Sequence, residues 1–325
     1  MPEYVITVDL GATKILTGIG TADGRIVKRE KMSTPGDCGN VLDCICHSIE
    51  KAISECSPEG KIRGIAVATP GPLSYPEAVV VDSPNLQWNR VPLRDELSRR
   101  LGRPVIVEKD TNMAVLGEYH YGCEGRCQNL IYITVSTGIG GGIILNDRLY
   151  RGRCGGAGEI GHMVIDPRGI KCGCGRKGCL EALASGTAIA RTAAKLVKAG
   201  KGQGILDIAS GRGEIKAEQV GEAARRGDCE AQGIIARIAE YLGTGIANLV
   251  NIFNPEAVIL GGGVAWGWQE LLLKPVSEFV RQEVFALNAR DLEIRITSLG
   301  EDIVLYGCMA AVVLGAGIRT VPLPA

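Results

Sequence analysis

Val5-Ile6-Thr7-Val8-Asp9-Leu10-Gly11-Ala12-Thr13-Lys14-Ile15 runs as a strand, a turn of small residues and a second strand. A second stretch, Ile131-Tyr132-Ile133-Thr134-Val135-Ser136-Thr137-Gly138-Ile139-Gly140-Gly141, has the same order of features. One copy lies in each half of the chain, and no shorter repeat of the solenoid kind is visible. A duplicated α/β design with a cleft between its halves fits this layout. No linker rich in Pro, Gly and Ser separates the halves, so a hinge between them has to be short.

Working outward from the first copy, Tyr4–Asp9, Ile15–Ile19 and Ile26–Met32 read as strands. A helix from about Val41 to Glu55 follows, with Ile45, Ile49, Ala52 and Ile53 on one face. Ile65–Ala68 is a short buried strand that stops at the turn signal Thr69-Pro70-Gly71-Pro72. Leu93–Leu101 reads as a helix, Val105–Glu108 as a strand and Thr111–Tyr121 as a helix, with Asp110 or Thr111 as its N-cap. From the second copy onward, Ile131–Val135 is a strand, Ser136–Gly142 a glycine turn and Ile143–Leu145 a returning strand. The chain then becomes mainly helical, with a long segment from about Cys229 to Phe253. Ala257–Leu260 and Leu292–Thr297 are later strands. The expected division is a smaller α/β domain over 1–118, completed by an apolar closing helix over 303–318, and a larger α/β domain over 119–302.

Composition narrows the function classes. The chain has 325 residues, long enough for two domains and for substantial cores without disulfide staples. Lys plus Arg equals Asp plus Glu at 36 each, which gives no electrostatic case for a nucleic-acid or membrane partner. Aromatic residues make up only 4%, too few for base-stacking platforms. The start, MPEYVITVDL, does not read as a signal peptide, and no window reaches about 18 uninterrupted apolar residues. A cytoplasmic location is expected, and the 12 cysteines then read as free thiols and metal ligands.

Five motifs carry chemistry. In Asp9-Leu10-Gly11-Ala12-Thr13-Lys14 the small-residue turn can expose backbone N–H groups to phosphate oxygens. Thr13 and Lys14 add a hydroxyl and a cation. Asp9 can hold Mg²⁺ through water, because Mg²⁺ prefers oxygen donors and keeps several waters. The pattern is not a GxxxxGK[ST] loop, so a P-loop enzyme is not indicated. Ser136-Thr137-Gly138-Ile139-Gly140-Gly141-Gly142 can hold the other side of a triphosphate. Gly261-Gly262-Gly263 follows a buried strand, where missing side chains let an adenine or ribose lie against backbone. In Glu108-Lys109-Asp110-Thr111-Asn112 a carboxylate sits at a strand-to-helix junction, where α/β proteins place ligands. Asp110 can accept a proton from a substrate hydroxyl that attacks a phosphoryl group, and helix capping is its alternative duty.

The most specific motif is Gly158-Glu159-Ile160-Gly161-His162 followed by Cys172-Gly173-Cys174-Gly175-Arg176-Lys177-Gly178-Cys179-Leu180-Glu181. One His and three Cys are a common set for a tetrahedral structural Zn²⁺, here His162, Cys172, Cys174 and Cys179. Four protein donors leave no position for a reactive water, which argues against a catalytic zinc. Glu159 and Glu181 flank the ligands. Fixing the knuckle fixes both carboxylates, which can then accept hydrogen bonds from sugar hydroxyls. His47 and His120 sit in helical segments without partner motifs and read as structural.

Together these motifs resemble the ROK family of repressors, open reading frames and kinases, over nearly the whole chain from Asp9 to the closing helix. The resemblance implies the actin-like, ribonuclease H-like ATPase fold, with two α/β domains around a cleft. It implies ATP held by Asp9, Gly11, Ala12, Thr13 and Lys14, by Thr137 and Gly138, and by Gly261, Gly262 and Gly263. It implies Asp110 as catalytic base with sugar contacts from Glu159, His162 and Glu181, the histidine binding zinc with one ring nitrogen and a hydroxyl with the other. Gly71 in Pro70-Gly71-Pro72 and Asn85 in Asn85-Leu86 resemble the family's sugar-side loops. The implied activity is transfer of a phosphoryl group from ATP to a hexose, glucose first, with Mg²⁺ as catalytic metal and a homodimer or homotetramer as assembly. Kinases for N-acetylmannosamine, N-acetylglucosamine, allose or fructose are alternatives, as is a sugar-sensing protein without turnover. One residue departs from the family: Lys109 stands where Asn is usual, and a Lys ammonium only donates hydrogen bonds. Only eight residues precede Asp9, which disfavours the family's DNA-binding class.

Overall fold

A computed structural model describes residues 2–56, 60–83, 86–210 and 214–315. The chain forms two compact units. The first comprises Met1–Gln128, Gly142–Gly158 and Glu301–Ala325, and the second Asn129–Gly141 and Glu159–Gly300.

The first unit is built on β1 (Glu3–Leu10), β2 (Lys14–Thr21), β3 (Ile26–Ser33), α1 (Cys38–Cys56), β4 (Lys61–Thr69), β5 (Val80–Ser83), β6 (Trp88–Val91), α2 (Leu93–Leu101), β7 (Val105–Lys109) and α3 (Asp110–Gly117). Its main sheet has the order β3-β2-β1-β4-β7. The first three strands meander antiparallel, while β1, β4 and β7 run parallel. Parallel neighbours align their carboxyl ends: Asp9 lies beside Ala68, and Thr69 beside Lys109. One face of the sheet packs Ile6, Val8 and Leu10 with Val41, Ile45 and Ile49 of α1. This is the helix face expected from the spacing, with Ala52 buried and Ile53 partly buried alongside it. Burying each such side chain contributes roughly 1.5–3 kcal/mol.

The second unit contains β8 (Leu130–Val135), the start of β9 (Ile139–Leu145), α4 (Leu180–Ala184), α5 (Gly186–Lys198), α6 (Gln203–Ala209), α7 (Ala217–Arg225), α8 (Cys229–Phe253), β11 (Ala257–Gly261), α9 (Gly263–Gly267), α10 (Gln269–Glu283), α11 (Ala286–Ala289) and β12 (Glu293–Ile296). Strands β8, β11 and β12 are parallel, and β9 flanks β8. The chain leaves this unit along β9, whose end pairs with β10 (Arg148–Leu149) in the first unit. Helix α8 starts at Asp228, whose side chain accepts the Ala231 N–H at 2.8 Å. Such a cap contributes roughly 0.5–2 kcal/mol. The helix ends at Asn254 in the left-handed conformation, φ 45°.

The chain closes with α12 (Ile303–Leu314), back in the first unit. It is buried on most sides against α3, β1 and β4, which explains an all-apolar sequence without helical alternation. The last residues of the expected helix, 316–318, lie outside the described residues.

Three local expectations are corrected. Gly140–Gly142 lie inside β9 and not in a turn. The strand runs so close to its neighbours that Ile160 fills the space a Gly141 side chain would need. The helix expected over Thr111–Tyr121 is α-helical only to Gly117 and continues as a π-turn over Glu118–Gly122. Its N-cap is Lys109, without a side-chain capping bond, so Asp110 is the first helical residue and neither Asp110 nor Thr111 is the cap.

Candidate active site

In the first unit the candidate residues gather at the carboxyl ends of β1, β4 and β7, the edge where open α/β sheets hold ligands. Asp9 is the penultimate residue of β1, and the turn after it is closed by the Gly11 N–H donating to Lys14 O at 2.8 Å. Thr34 Oγ1 donates to Gly11 O at 2.8 Å and its N–H to Thr13 O at 3.1 Å, so the residue just after β3 braces the turn. Ala12, Thr13 and Lys14 remain exposed, with a hydroxyl and an ammonium available to an anion.

Burial pushes the Asp9 carboxyl up to about 6, and the nearby Asp110 carboxylate pushes the same way against a smaller opposing effect of Lys14. Two acids, Asp9 near the end of β1 and Asp110 at the start of α3, therefore feel each other at one edge, an arrangement suited to a cation or a proton acceptor. Asp110 Oδ1 accepts the Thr111 N–H at 2.7 Å, which fixes the carboxyl at the first turn of α3. Gly71 follows β4 at the same edge, its Cα facing the stem of Lys109: a Cβ there would lie 3.2 Å from Lys109 Cδ. Lys109 is only 5% exposed and its Nζ donates to Ala157 O at 3.1 Å. The ammonium does not point into solvent, because the loops around Gly71 and Ala157 cover that end of β7. Asn85 lies outside the described residues.

In the second unit the strand-end pattern recurs with different chemistry. The turn after β8 is closed by the Ser136 N–H donating to Gly138 O at 2.9 Å. Helix α5 packs onto it: Gly186 N–H donates to Ser136 O at 2.7 Å and Thr187 Oγ1 to Thr137 O at 2.9 Å. Glu181 Oε2 accepts the Ile139 N–H at 3.1 Å, so this carboxylate also holds the turn. Gly138 leaves room for it, since a Cβ there would crowd Glu181 Oε2. Gly261 ends β11 beside Thr134 of β8, and Gly262 and Gly263 turn the chain into α9. A cavity of about 660 Å³ opens here, lined among others by Thr137, Thr187, Lys216, Glu218 and Gly263. Thr137 and Gly263 were expected from the sequence. Gly138, Gly261 and Gly262 shape the adjoining backbone and do not line the cavity. Thr187, Lys216 and Glu218 were not foreseen. The only local signal for Thr187 is the small run Ser185-Gly186-Thr187 at a helix start, and Lys216 and Glu218 have none.

The knuckle lies in the same unit. His162 ends a 3-10 turn over Ile160–His162, whose N-cap is Glu159. The ligand atoms of His162, Cys172, Cys174 and Cys179 all lie within 4.8 Å of one another. His162 Nδ1 faces Cys172 Sγ at 3.8 Å, and Cys174 Sγ lies 3.6 Å from Cys179 Sγ. These cysteines form no disulfide. Short bridges Val164–Cys179 and Lys171–Lys177 fold the loop into a compact hairpin. Gly178, at φ +71°, passes so close to Asp166 O that no Cβ fits. Hydrogen bonds from the Arg176 backbone and side chain hold the Cys174 thiol well below its ordinary range, at about 6. Burial pushes the Cys179 thiol up to about 12. A divalent cation would replace the thiol protons, and three sulfurs with one imidazole nitrogen fit Zn²⁺. With Nδ1 turned to the sulfurs, Nε2 of His162 is the nitrogen left for a second partner. Glu159 is exposed, and Glu181 follows Cys179 by two residues at the start of α4.

His120 packs edge-on against Tyr121 at 4.5 Å, and burial holds its pKa below the ordinary value. That agrees with a packing role. Among the described residues no helix is long and apolar enough to cross a membrane.

The ROK family model matches residues 5–314. A glucokinase from Thermotoga maritima is 34% identical over 314 residues, covering 96% of this chain and 98% of that protein. A xylose repressor from Caldicellulosiruptor bescii is 34% identical over 313 residues, covering 95% of this chain and 78% of that protein. The crystal structure of a ROK family glucokinase from Streptomyces griseus, in complex with glucose and AMPPNP, superposes with a TM-score of 0.82 at 34% identity. That match covers 96% of this chain and 100% of the other.

Proposed function

The chain belongs to the ROK family and has its actin-like ATPase fold, and on that premise we propose that it is an ATP-dependent hexose kinase of the glucokinase type. The observation that carries the reading is the pairing of full-length similarity to glucokinases with an acid, Asp110, at the carboxyl edge of the first unit's sheet. In the proposed reaction the sugar C6 hydroxyl attacks the γ-phosphorus of ATP. Asp110 takes the hydroxyl proton, the new O6–P bond forms, and the bond to the bridging oxygen breaks with its electron pair leaving on ADP. Such a reaction needs mainly positioning and charge neutralisation.

The roles of individual residues follow as proposals. In the first unit Asp9 holds Mg²⁺ through water, and Gly11, Ala12, Thr13 and Lys14 meet phosphate. In the second, Thr137, Gly138 and Gly261–Gly263 frame the nucleotide, whose base and ribose suit the cavity beside Thr187 and Lys216. His162, Cys172, Cys174 and Cys179 hold a structural Zn²⁺. The metal would lock the hairpin and with it Glu159, His162 Nε2 and Glu181, the proposed sugar-hydroxyl partners of this unit. Gly71 and Asn85 are the proposed sugar-side loop residues of the first.

A coupled assay with a panel of hexoses and with ATP, ADP and polyphosphate tests this reading. Turnover is expected with ATP and glucose. A sugar-sensing protein is the second reading, favoured by the similarity to xylose repressors. It predicts hexose binding without phosphoryl transfer from any donor.

A further inference from the structure

Glu108 sits two residues before Asp110, on β7, and is 7% exposed. Its carboxylate gathers three donors. Oε1 accepts the Lys109 N–H and Asn112 Nδ2, each at 2.9 Å, and Oε2 accepts Arg151 Nε at 2.6 Å. Lys109 and Asn112 bracket Asp110 on either side. Arg151 comes from a loop 43 residues away in sequence. The Glu108–Arg151 pair is largely shielded, with side chains 9% and 12% exposed.

The arginine is held in turn. Its guanidinium carbon lies 4.8 Å from the centre of the Tyr75 ring, within the range of a cation–π contact. Backbone bonds join the same segments: Tyr75 N–H donates to Cys154 O at 3.0 Å, and Ala157 N–H to Arg151 O at 3.1 Å. Lys109 Nζ, reaching Ala157 O, closes the ring of contacts from the β7 side. The junction bearing Asp110 and the loop over 151–157 thus meet at the Glu108 carboxylate, and the loop following Gly71 joins them through Arg151 and Cys154.

We propose that Arg151, acting through Glu108, is a positioning residue for phosphoryl transfer: it locks the β7–α3 junction so that Asp110 keeps its aim. The inference rests on Asp110 being the base. Neither Glu108 nor Arg151 touches substrate on this account. A buried ion pair contributes little net stability over an apolar replacement, whereas a bidentate carboxylate tied to both flanks of a reactive residue fixes direction. Loss of aim costs rate at unchanged nucleotide affinity, because neither Glu108 nor Arg151 is among the proposed nucleotide contacts or lines the cavity beside Thr137.

Four variants test it: Arg151→Met, Arg151→Lys, the double Glu108→Gln/Arg151→Met, and Asp110→Asn as control. For each, kcat, the KM values for sugar and ATP, and thermal stability are measured. Arg151→Met leaves the Glu108 charge buried without its ion-pair partner, so it lowers both stability and kcat. The double variant removes that charge and regains stability, yet its kcat stays roughly 10–100-fold down with the ATP KM unchanged, as expected for misplacement of a reacting group. Arg151→Lys keeps the charge and recovers part of the rate. Recovery of kcat together with stability in the double variant would overturn the proposal, since the pair would then be structural only. Wild-type kinetics in Arg151→Met would overturn it as well. If Arg151→Met does not fold, the double variant and Arg151→Lys decide by the same criteria. Full activity in Asp110→Asn is a different failure: it refutes the base assignment on which the inference stands.

Discussion

The turn after β1 and the turn after β8 share one local plan, a hydrogen-bonded reversal of small residues at the carboxyl end of a strand, yet they are finished differently. The first leaves Thr13 and Lys14 exposed and sets Asp9 within electrostatic reach of Asp110. The second presents no acid of its own. It is pinned by α5 and by Glu181 and opens onto a cavity lined partly by glycine and threonine. In the proposed reading one copy carries charge for chemistry and the other carries shape for grip. If that division holds, changes at the first edge should lower turnover and changes around the second should act through binding and stability.

The largest effect is expected from Asp110→Asn. Removing a general base costs roughly 10²–10⁴-fold in rate, and sugar binding measured by calorimetry should survive. Near-normal turnover in a variant checked for deamidation would break the contrast at its stronger end. Next comes Cys174→Ala in the second unit. Losing one of four donors should release the metal, lower the melting temperature and loosen the segment carrying Glu159 and Glu181, with a raised sugar KM. Metal analysis of protein purified without added zinc is expected to give one Zn²⁺ per chain. Its absence would refute the ligand assignment.

Much of this was legible in the sequence because it is local. The hairpin turns, the long helix over Cys229–Phe253 and the Cys-x-Cys knuckle each sit within a short window whose residue types dictate the geometry. What was not legible depends on distant partners. Arg151 meets Glu108 across 43 residues, and Lys216 and Glu218 reach the cavity from a different helix start. The surroundings of Lys109 were not legible for a definable reason. Strand alternation puts neighbouring side chains on opposite faces, but both faces are covered at the end of β7, so Glu108 and Lys109 are buried together. The glycines at 140–142 likewise read as a turn because a one-sided pattern cannot reveal that Ile160 occupies the side-chain space of Gly141, and Thr111 and Val115 that of Gly142.

A smaller effect separates stability from function at Asp9. Its folded pKa of about 6 lies above the ordinary 3.8, so the folded state holds the proton more tightly than the unfolded one. The stabilising contribution of the protonated form is complete below about pH 4 and lost as pH rises through 6. Asp9→Asn should therefore raise the melting temperature at pH 7.5, with the gain vanishing near pH 4, while lowering activity at both. Thermal melts across that range check the sign, and destabilisation at pH 7.5 would contradict it.

The smallest effect is expected from Lys109→Asn. It removes the hydrogen bond to Ala157 O, worth about 1.5–3 kcal/mol for a charged donor, and it restores the family's usual residue. A lower melting temperature is expected, with a sugar KM shifted a few-fold and an unaltered ATP KM. Parallel kinetics with glucose and N-acetylmannosamine measure it. Unchanged values for both sugars would confine Lys109 to packing.

The central claim is that this chain moves the γ-phosphate of ATP onto the C6 hydroxyl of glucose. Phosphorus NMR of the purified protein with glucose and Mg²⁺-ATP tests that directly. The account predicts glucose 6-phosphate and ADP accumulating in equal amounts, with no turnover when glucose is omitted. Glucose bound but never phosphorylated, or ADP formed with free phosphate at the same rate whether or not glucose is present, would contradict it.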